Sequence, residues 1–353
     1  MHIYERLMPE GDFIIMINYK ELPVYYRTSP IIGLQYFSLS IIFGDEKILP
    51  WFFSNYIQLE WDEDSCIWFS LLDINYASTP FLDTQLIYRD FIKQNEVNLE
   101  NLVINSIVQG QYIQLCLNEL YVPDKKAYNN YDFIHDNLIV GFDNIKRKFT
   151  LLGYNKDRIL ALSLITYDDF AKAFYTVDSI LTKSLGVGSS GYASKVFLLR
   201  KRNDVTYELD KELIKESLID FLNGNDYDYK FRMISNPKRN KIFGINIYSK
   251  LSQAFINRDT KIINDIRFLH LIYEHKKVMV LRIRYLFDHN IIKEDIEIIN
   301  ECIALENEAL SLRNLHIKYF IKKNAGILDK IAAGLTVICD KETRVLNNLI
   351  LLF

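Results

Sequence analysis

The sequence predicts an α+β domain followed by a helical one, and three features carry that prediction. Strand-like apolar runs crowd together at 111–122, 137–143 and 148–154. An almost wholly apolar helical segment precedes them at 30–44, and long stretches of helical periodicity fill the chain from 258 onward. Grouping helices behind a block of strands gives the plan of an α+β layer architecture with a separate helical body. The expected boundaries are 1–180 for the α+β domain, 181–245 for a connecting segment with a strand and a helix, and 246–353 for the helical domain.

Each element has a local reason. FIIMIN at 13–18 reads as a short buried strand. Ser29 followed by Pro30 reads as an N-cap and first helical residue for IIGLQYFSLSIIFG, a helix too apolar to lie on a surface. The aromatic segment WFFSNYIQLEW reads as core, and EDSCIWF as a loop entering a strand. Helical spacing is expected over 84–94 and 98–109, the second closed by Gly110. An Asn-Ile-Lys-Arg turn joins 137–143 to 148–154 as a hairpin. Thr166 with Asp169 forms an acidic capping box for a helix through Phe174, KVFLLRK at 195–201 is a further strand, and Asp210 caps ELIKESLIDFLNG. Helices are then expected over 258–289, over 294–323 and from Ala325, and no internal repeat is visible.

Composition narrows the class. With 353 residues, 49% hydrophobic and 25% charged, the chain is long enough for a substantial core and unlike disordered or collagen-like sequences. The charge-free stretch Thr28–Gly44 is shorter than a bilayer-spanning helix and carries polar residues, so no membrane partner is expected. The N-terminus, MHIYERLMPEGD, lacks a basic start and apolar run, which predicts a cytoplasmic location. Cys66, Cys116, Cys302 and Cys339 have no paired spacing and read as reduced, buried thiols, not as a disulfide framework or zinc site. His270 and His275 would diverge by about 140° around a helix, and with no HExxH spacing a metal is disfavoured. There is no GxxxxGK[ST], and LGVGSSG lacks the preceding strand and following acid of a dinucleotide site, so no cofactor is expected. The acids Asp62, Glu63 and Asp64, and the pair Asp168-Asp169, sit side by side on a loop or cap, not across a bond.

The net charge of -3 hides an asymmetry: residues 1–178 hold 14 Lys+Arg against 24 Asp+Glu, and residues 179–353 hold 28 against 21. The basic residues are scattered among acids, as in Lys276-Lys277, Arg282 with Arg284, and Arg313 with Lys318, Lys322 and Lys323. They form neither the dense stripe nor the module of a nucleic-acid binder. A solvated helical face or the meeting surface for an acidic partner explains them.

Among six histidines, His135 alone stands at a strand mouth, in YDFIHDNLIVGFD. A base there needs a partner for its second ring nitrogen, and adjacent Asp136 or Asn155 at the end of the next strand could supply it. Each also has a plain structural reading: Ser29 as an N-cap, His135 as a half-buried histidine, Asn155 as a turn residue.

Read together, the central helix, PWFFSNYIQL, GQYIQLCLNELYVP, IHDNLIVGFDN, KFTLLGY and SLITYDDFAKAF resemble the papain-like family of the butirosin H N-terminal domain. FGINIYSKL, IRFLHLIYEHKKVM, LRIRYL and LRNLHIKYF are similar to the helical extension of the same antibiotic-cluster proteins, some of which resemble the amide-forming enzyme of closthioamide assembly. The resemblance implies a papain-like, cysteine-protease-type fold, a central helix against an antiparallel sheet, with a C-terminal helical domain. It implies an acyltransferase of nonribosomal-peptide-type biosynthesis. An acyl or peptidyl group would leave the phosphopantetheine thioester of a carrier protein, rest on an enzyme thiol at the helix N-terminus, and pass to an amine. His135 matches the family's base. The chain departs from the pattern in two places: Ser29, or a neighbour in TSPIIG, stands where the nucleophilic Cys belongs, and Leu152, Gly153 and Asn155 stand where an Asp follows the hairpin. Ser29 is then the nucleophile, a replacement for Cys, or a mark of lost catalysis, with Cys66 as another nucleophile. The other function class is a catalytically silent scaffold that holds an acidic carrier protein, with Lys277, Arg282 and Arg284 as its docking residues.

Overall fold

A computed structural model of the chain describes residues 3–6, 14–27, 36–62, 67–69, 79–180, 191–226, 230 and 241–353. Its strands are β1 (Ile3–Arg6), β2 (Ile14–Ile17), β3 (Tyr19–Glu21), β4 (Leu59–Asp62), β5 (Ile67–Phe69), β6 (Leu82–Tyr88), β7 (Gln111–Asn118), β8 (Ile134–Asp143), β9 (Lys148–Tyr154), β10 (Leu160–Thr166), β11 (Lys195–Lys201) and β12 (Lys241–Phe243). Its helices are α1 (Tyr36–Ile42), α2 (Leu49–Ser54), α3 (Arg89–Gln94), α4 (Leu99–Val108), α5 (Tyr167–Tyr175), α6 (Lys211–Asn223), α7 (Asn246–Ile256), α8 (Thr260–Ile263), α9 (Arg267–Asp288), α10 (Ile296–Lys322) and α11 (Ala325–Ile350). The chain is thus mixed α+β, with an antiparallel sheet and C-terminal helices, as its sequence pattern predicts.

Two compact units share these elements, the first drawn from residues 1–29, 37–44 and 79–205, the second from 30–36, 45–78 and 206–353. This division differs from one at residue 180 in two ways. The segment 195–201, expected in a connection, is β11 and lies inside the first unit's sheet, between β7 and β6. The aromatic segment with Trp51, Phe52 and Phe53, expected in the first domain, belongs to the second unit.

The first unit is built on a seven-stranded sheet in the order β10-β9-β8-β7-β11-β6, with β3 on β8, and every pairing in it is antiparallel. All eight residues of β7 are buried, so the sheet is covered on both faces at its centre. Helices α4 and α5 pack on it, with Phe149 of β9 wedged between Tyr167 and Phe170 of α5. The capping box is present: Asp169 N–H donates to Thr166 Oγ1 at 3.1 Å and Thr166 Oγ1–H to Asp169 Oδ2 at 2.8 Å. A register shift between Ile139 and Gly141 bends β8, and β3 crosses so closely that a Cβ on Gly141 would lie 2.7 Å from Lys20 O.

One expected helix is not a helix along its whole length. Residues 82–88 form the outer strand β6, and only 89–94 are helical. Helical spacing in TQLIY coincides with β-branched and aromatic composition, and the full-length ladder with β11 resolves the tie in favour of the strand. β10 was not expected, α7 lies inside the expected helical domain without having been singled out, and 258–289 is two helices broken at Asn264–Ile266.

Arg89 fastens the first unit. Its side chain is fully buried, Nε–H donates to Ala193 O at 2.8 Å, one terminal N–H to Phe174 O at 3.0 Å and the other to Cys116 O, and the guanidinium rests 4.2 Å from the Phe174 ring centre. Among the described residues no carboxylate pairs with it, and burial drives its pKa down to about 10. The second unit repeats the device. Its helices α9, α10 and α11 pack in succession with α7 against α11, and beside them lies the small antiparallel sheet β12-β4-β5. Arg282 of α9 is fully buried and donates to Phe53 O at 2.8 Å, Asn55 O at 2.5 Å and Tyr56 O at 3.1 Å. Replacing Arg89 by Met keeps the volume and leaves three carbonyls without donors, so urea unfolding should show a loss of about 3 kcal/mol. Arg89→Lys should fail nearly as badly, because an ammonium cannot span the three acceptors.

Candidate functional site

The site is set where β7 ends and β8 begins. Asn118, fully buried, closes the long connection between them: its Oδ1 accepts from Leu120 N–H and Phe133 N–H, both at 3.2 Å, and its Nδ2–H donates to Asp132 Oδ1 at 2.8 Å. Glu119 N–H donates to Phe133 O at 2.8 Å. These bonds tie the residues before His135 to the end of β7. Tyr131 and Phe133 are nevertheless half exposed, and the Phe133 ring stacks on His135 at 5.6 Å with 15° between planes.

Around His135 lies a compact polar group. Its Nδ1 is 3.3 Å from Asp136 Oδ1 and 3.7 Å from Glu119 Oε1. Lys125, buried, donates from Nζ to Tyr154 O at 2.9 Å and stands 3.6 Å from Glu119 Oε1. Burial raises the Glu119 carboxyl above its ordinary value against the pull of Lys125 and His135. Burial lowers the Lys125 ammonium against the opposing pull of Glu119. Gly153 makes room for the pair, since a Cβ there would overlap the Lys125 ammonium and sit 2.7 Å from Asn137 Oδ1. Tyr192 Oη–H donates to Asp136 Oδ2 at 3.4 Å while accepting from Gln114 Nε2–H at 2.6 Å. Among the described residues, Gln114 Oε1 and Asn137 Oδ1 are buried with no hydrogen-bond partner.

Chemically this is a partly exposed imidazole with a carboxylate on one nitrogen. Such a carboxylate fixes the tautomer and stabilises the imidazolium once a proton is taken up. Of the two orienters that the sequence leaves open, the geometry brings Asp136 to His135. Asn155 is turned to its own hairpin: its Oδ1 accepts from Asp157 N–H at 3.0 Å and Ile159 N–H at 2.9 Å, closing the turn between β9 and β10. Ser29 and Cys66 lie outside the described residues. Glu119, Lys125 and Tyr192 escaped sequence reading, because an acid and a lysine in NELYVPDKK look like loop charges until the fold buries them.

The remaining candidates sort by burial. Cys116, Cys302 and Cys339 are free thiols; burial pushes Cys116 and Cys302 up to about 12 and raises Cys339, the reverse of an activated nucleophile. Arg282, expected on a docking face, is the fully buried clamp described above, and Lys276 is buried as well. A helix three turns into a bundle turns some of its basic positions to the core, and sequence charge does not reveal which. Lys276 pairs with Glu342 and donates to His275 Nδ1 at 2.8 Å, His275 Nε2–H donates to Ile57 O at 2.7 Å, and Tyr248 Oη–H donates to Glu342 Oε2 at 2.6 Å. That network is sealed from solvent and ties α7, α9 and α11 to residue 57. Among the described residues there is no cluster fit to hold a metal ion and no helix long and apolar enough to cross a membrane. Neither a family model nor a curated protein matches the chain.

The histidines of the second unit set an acid limit. Burial, with Arg313 and Lys277 nearby, takes His270 from an ordinary 6.5 to about 4, while burial lowers His275 and His316 too. Above pH 6.5 the ring is neutral folded or unfolded; below it the unfolded chain binds a proton that the folded one refuses until about 4. Stability should therefore fall as pH drops from 6.5 to 4, with His270 contributing about 2–3 kcal/mol of the loss. Urea midpoints at the two ends of that window test this, and His270→Phe should flatten the drop.

Proposed function

We propose that the first unit is a papain-like acyltransferase domain of peptide-antibiotic biosynthesis that forms an amide from a carrier-protein thioester. The observation that supports the reading is the His135–Asp136 contact, 3.3 Å between Nδ1 and Oδ1 on a partly exposed ring at the mouth of an antiparallel sheet. His135 takes the proton of the nucleophile as the latter attacks the thioester carbonyl, and Asp136 holds the resulting imidazolium. The proton passes to the departing phosphopantetheine thiol. An amine then attacks the acyl-enzyme, His135 accepts the amine proton, and returning it to the nucleophile regenerates the enzyme. The nucleophile is Ser29, or the cysteine it replaces.

A second reading, a silent scaffold that holds the carrier protein, is favoured by one observation: of the described thiols, Cys116 and Cys302 are buried and Cys339 is half-buried, and burial raises the pKa of all three. Intact-protein mass spectrometry with an acyl N-acetylcysteamine thioester separates the two. The acyltransferase reading expects an acyl adduct that maps to residue 29, formed about 10²–10⁴-fold more slowly by His135→Ala. Slowing by Asp136→Asn with Asn155→Ala unaffected would confirm which group orients the ring. No adduct, together with saturable binding of an acyl carrier protein, leaves the scaffold.

A further inference from the structure

Two carboxylates converge on one ring nitrogen. His135 Nδ1 lies 3.3 Å from Asp136 Oδ1 and 3.7 Å from Glu119 Oε1. Asp136 is shared, since its other oxygen accepts from Tyr192 Oη–H at 3.4 Å. Glu119 is placed differently: its side chain is buried, and among the described residues Oε1 has no hydrogen-bond partner. An ionised oxygen left bare in the interior is costly, and the groups that face this one are the His135 ring and the Lys125 ammonium, 3.6 Å away.

The fold puts Glu119 there from two sides. Leu117 and Asn118 pair with His135 and Ile134 across β7 and β8, and Glu119 N–H donates to Phe133 O at 2.8 Å, so its side chain leaves the backbone next to the strand that carries the ring. On the other side Lys125 is tethered through Nζ to Tyr154 O at 2.9 Å, in space that exists because residue 153 is glycine. Two acids this close to one group would ordinarily force one of them to take a proton. Burial, with Asp136 nearby, raises the Glu119 carboxyl, and Lys125 and His135 draw it back. The fixed ammonium offsets one of the two negative charges, so both acids can face the ring.

We propose that Glu119 is a second positioning residue for His135, an acceptor for Nδ1–H that stands beside Asp136. Its bearing on catalysis rests on the reading of His135 as the base. Both acids act on the same nitrogen: they hold the proton on Nδ1 and leave the lone pair on Nε2, the nitrogen that takes the nucleophile's proton. When Asp136 is removed, Glu119 keeps the ring in that tautomer, because its free oxygen is only 0.4 Å farther from Nδ1.

Long-range proton–nitrogen NMR correlation spectra of the intact chain with ¹⁵N-labelled histidine, at pH 8, report which ring nitrogen carries the proton. His135→Gln assigns the signal. The parent and Asp136→Ala should both show the Nδ1–H form of His135, and Asp136→Ala combined with Glu119→Met should shift it to the Nε2–H form that free histidine prefers. Alanine and methionine bring no oxygen to the ring, as asparagine and glutamine would. An Nε2–H ring in Asp136→Ala alone overturns the proposal, whether or not the double variant folds, and so does a folded double variant that keeps Nδ1–H. The spectra need no thioester: a chain that forms no acyl adduct yet follows this pattern loses the acyltransferase reading and keeps Glu119, and an adduct with Nε2–H in Asp136→Ala does the reverse.

Discussion

A buried arginine held by main-chain carbonyls is the constraint on which the first unit rests. Leaving water is costly for a guanidinium, and Arg89 stays in the core because three main-chain carbonyls, from Cys116, Phe174 and Ala193, replace its hydration. The three come from β7, the end of α5 and the turn before β11, which are far apart in sequence. One planar group with fixed donor directions therefore decides how a strand, a helix and a turn meet. In the second unit Arg282 collects the carbonyls of Phe53, Asn55 and Tyr56 in the same way, where the chain leaves α2 and has no helical partners to offer.

The candidate site inherits its rigidity from this arrangement. Cys116, whose carbonyl Arg89 holds, is the register partner of Asp136, and Leu117 is that of His135. Fixing β7 thus fixes the backbone from which the imidazole and its carboxylate project. Asn118 adds a second anchor by closing the connection before Phe133. Glu119, Lys125 and Asp136 are then a buried polar group, with half-buried Tyr192 at its side, next to a ring that still reaches solvent.

Much of the plan was legible in the chain. The hairpin of β8 and β9, the capping box at Thr166, the Asp210 cap and the long helices α10 and α11 depend on short-range rules of turn, cap and period. His135 and Asp136 were legible as well, being adjacent at a strand start. The failures share a cause. Residues 82–88 carry a pattern that fits helix and strand alike, and β11, distant in sequence, supplies the ladder that settles it. Arg282 and Lys276 look like surface charges, and only neighbours contributed by α2, the segment after it and α11 turn them inward.

The sequence by itself determined the fold class, the position of the sheet and the one histidine at a strand mouth, because periodicity, capping and turn chemistry act over a few residues. The tertiary structure alone decided which basic residues are buried and which strand was left at the edge. Those outcomes depend on contacts between segments separated by tens to hundreds of positions. Burial can reverse the meaning of a charge, and no local pattern records burial.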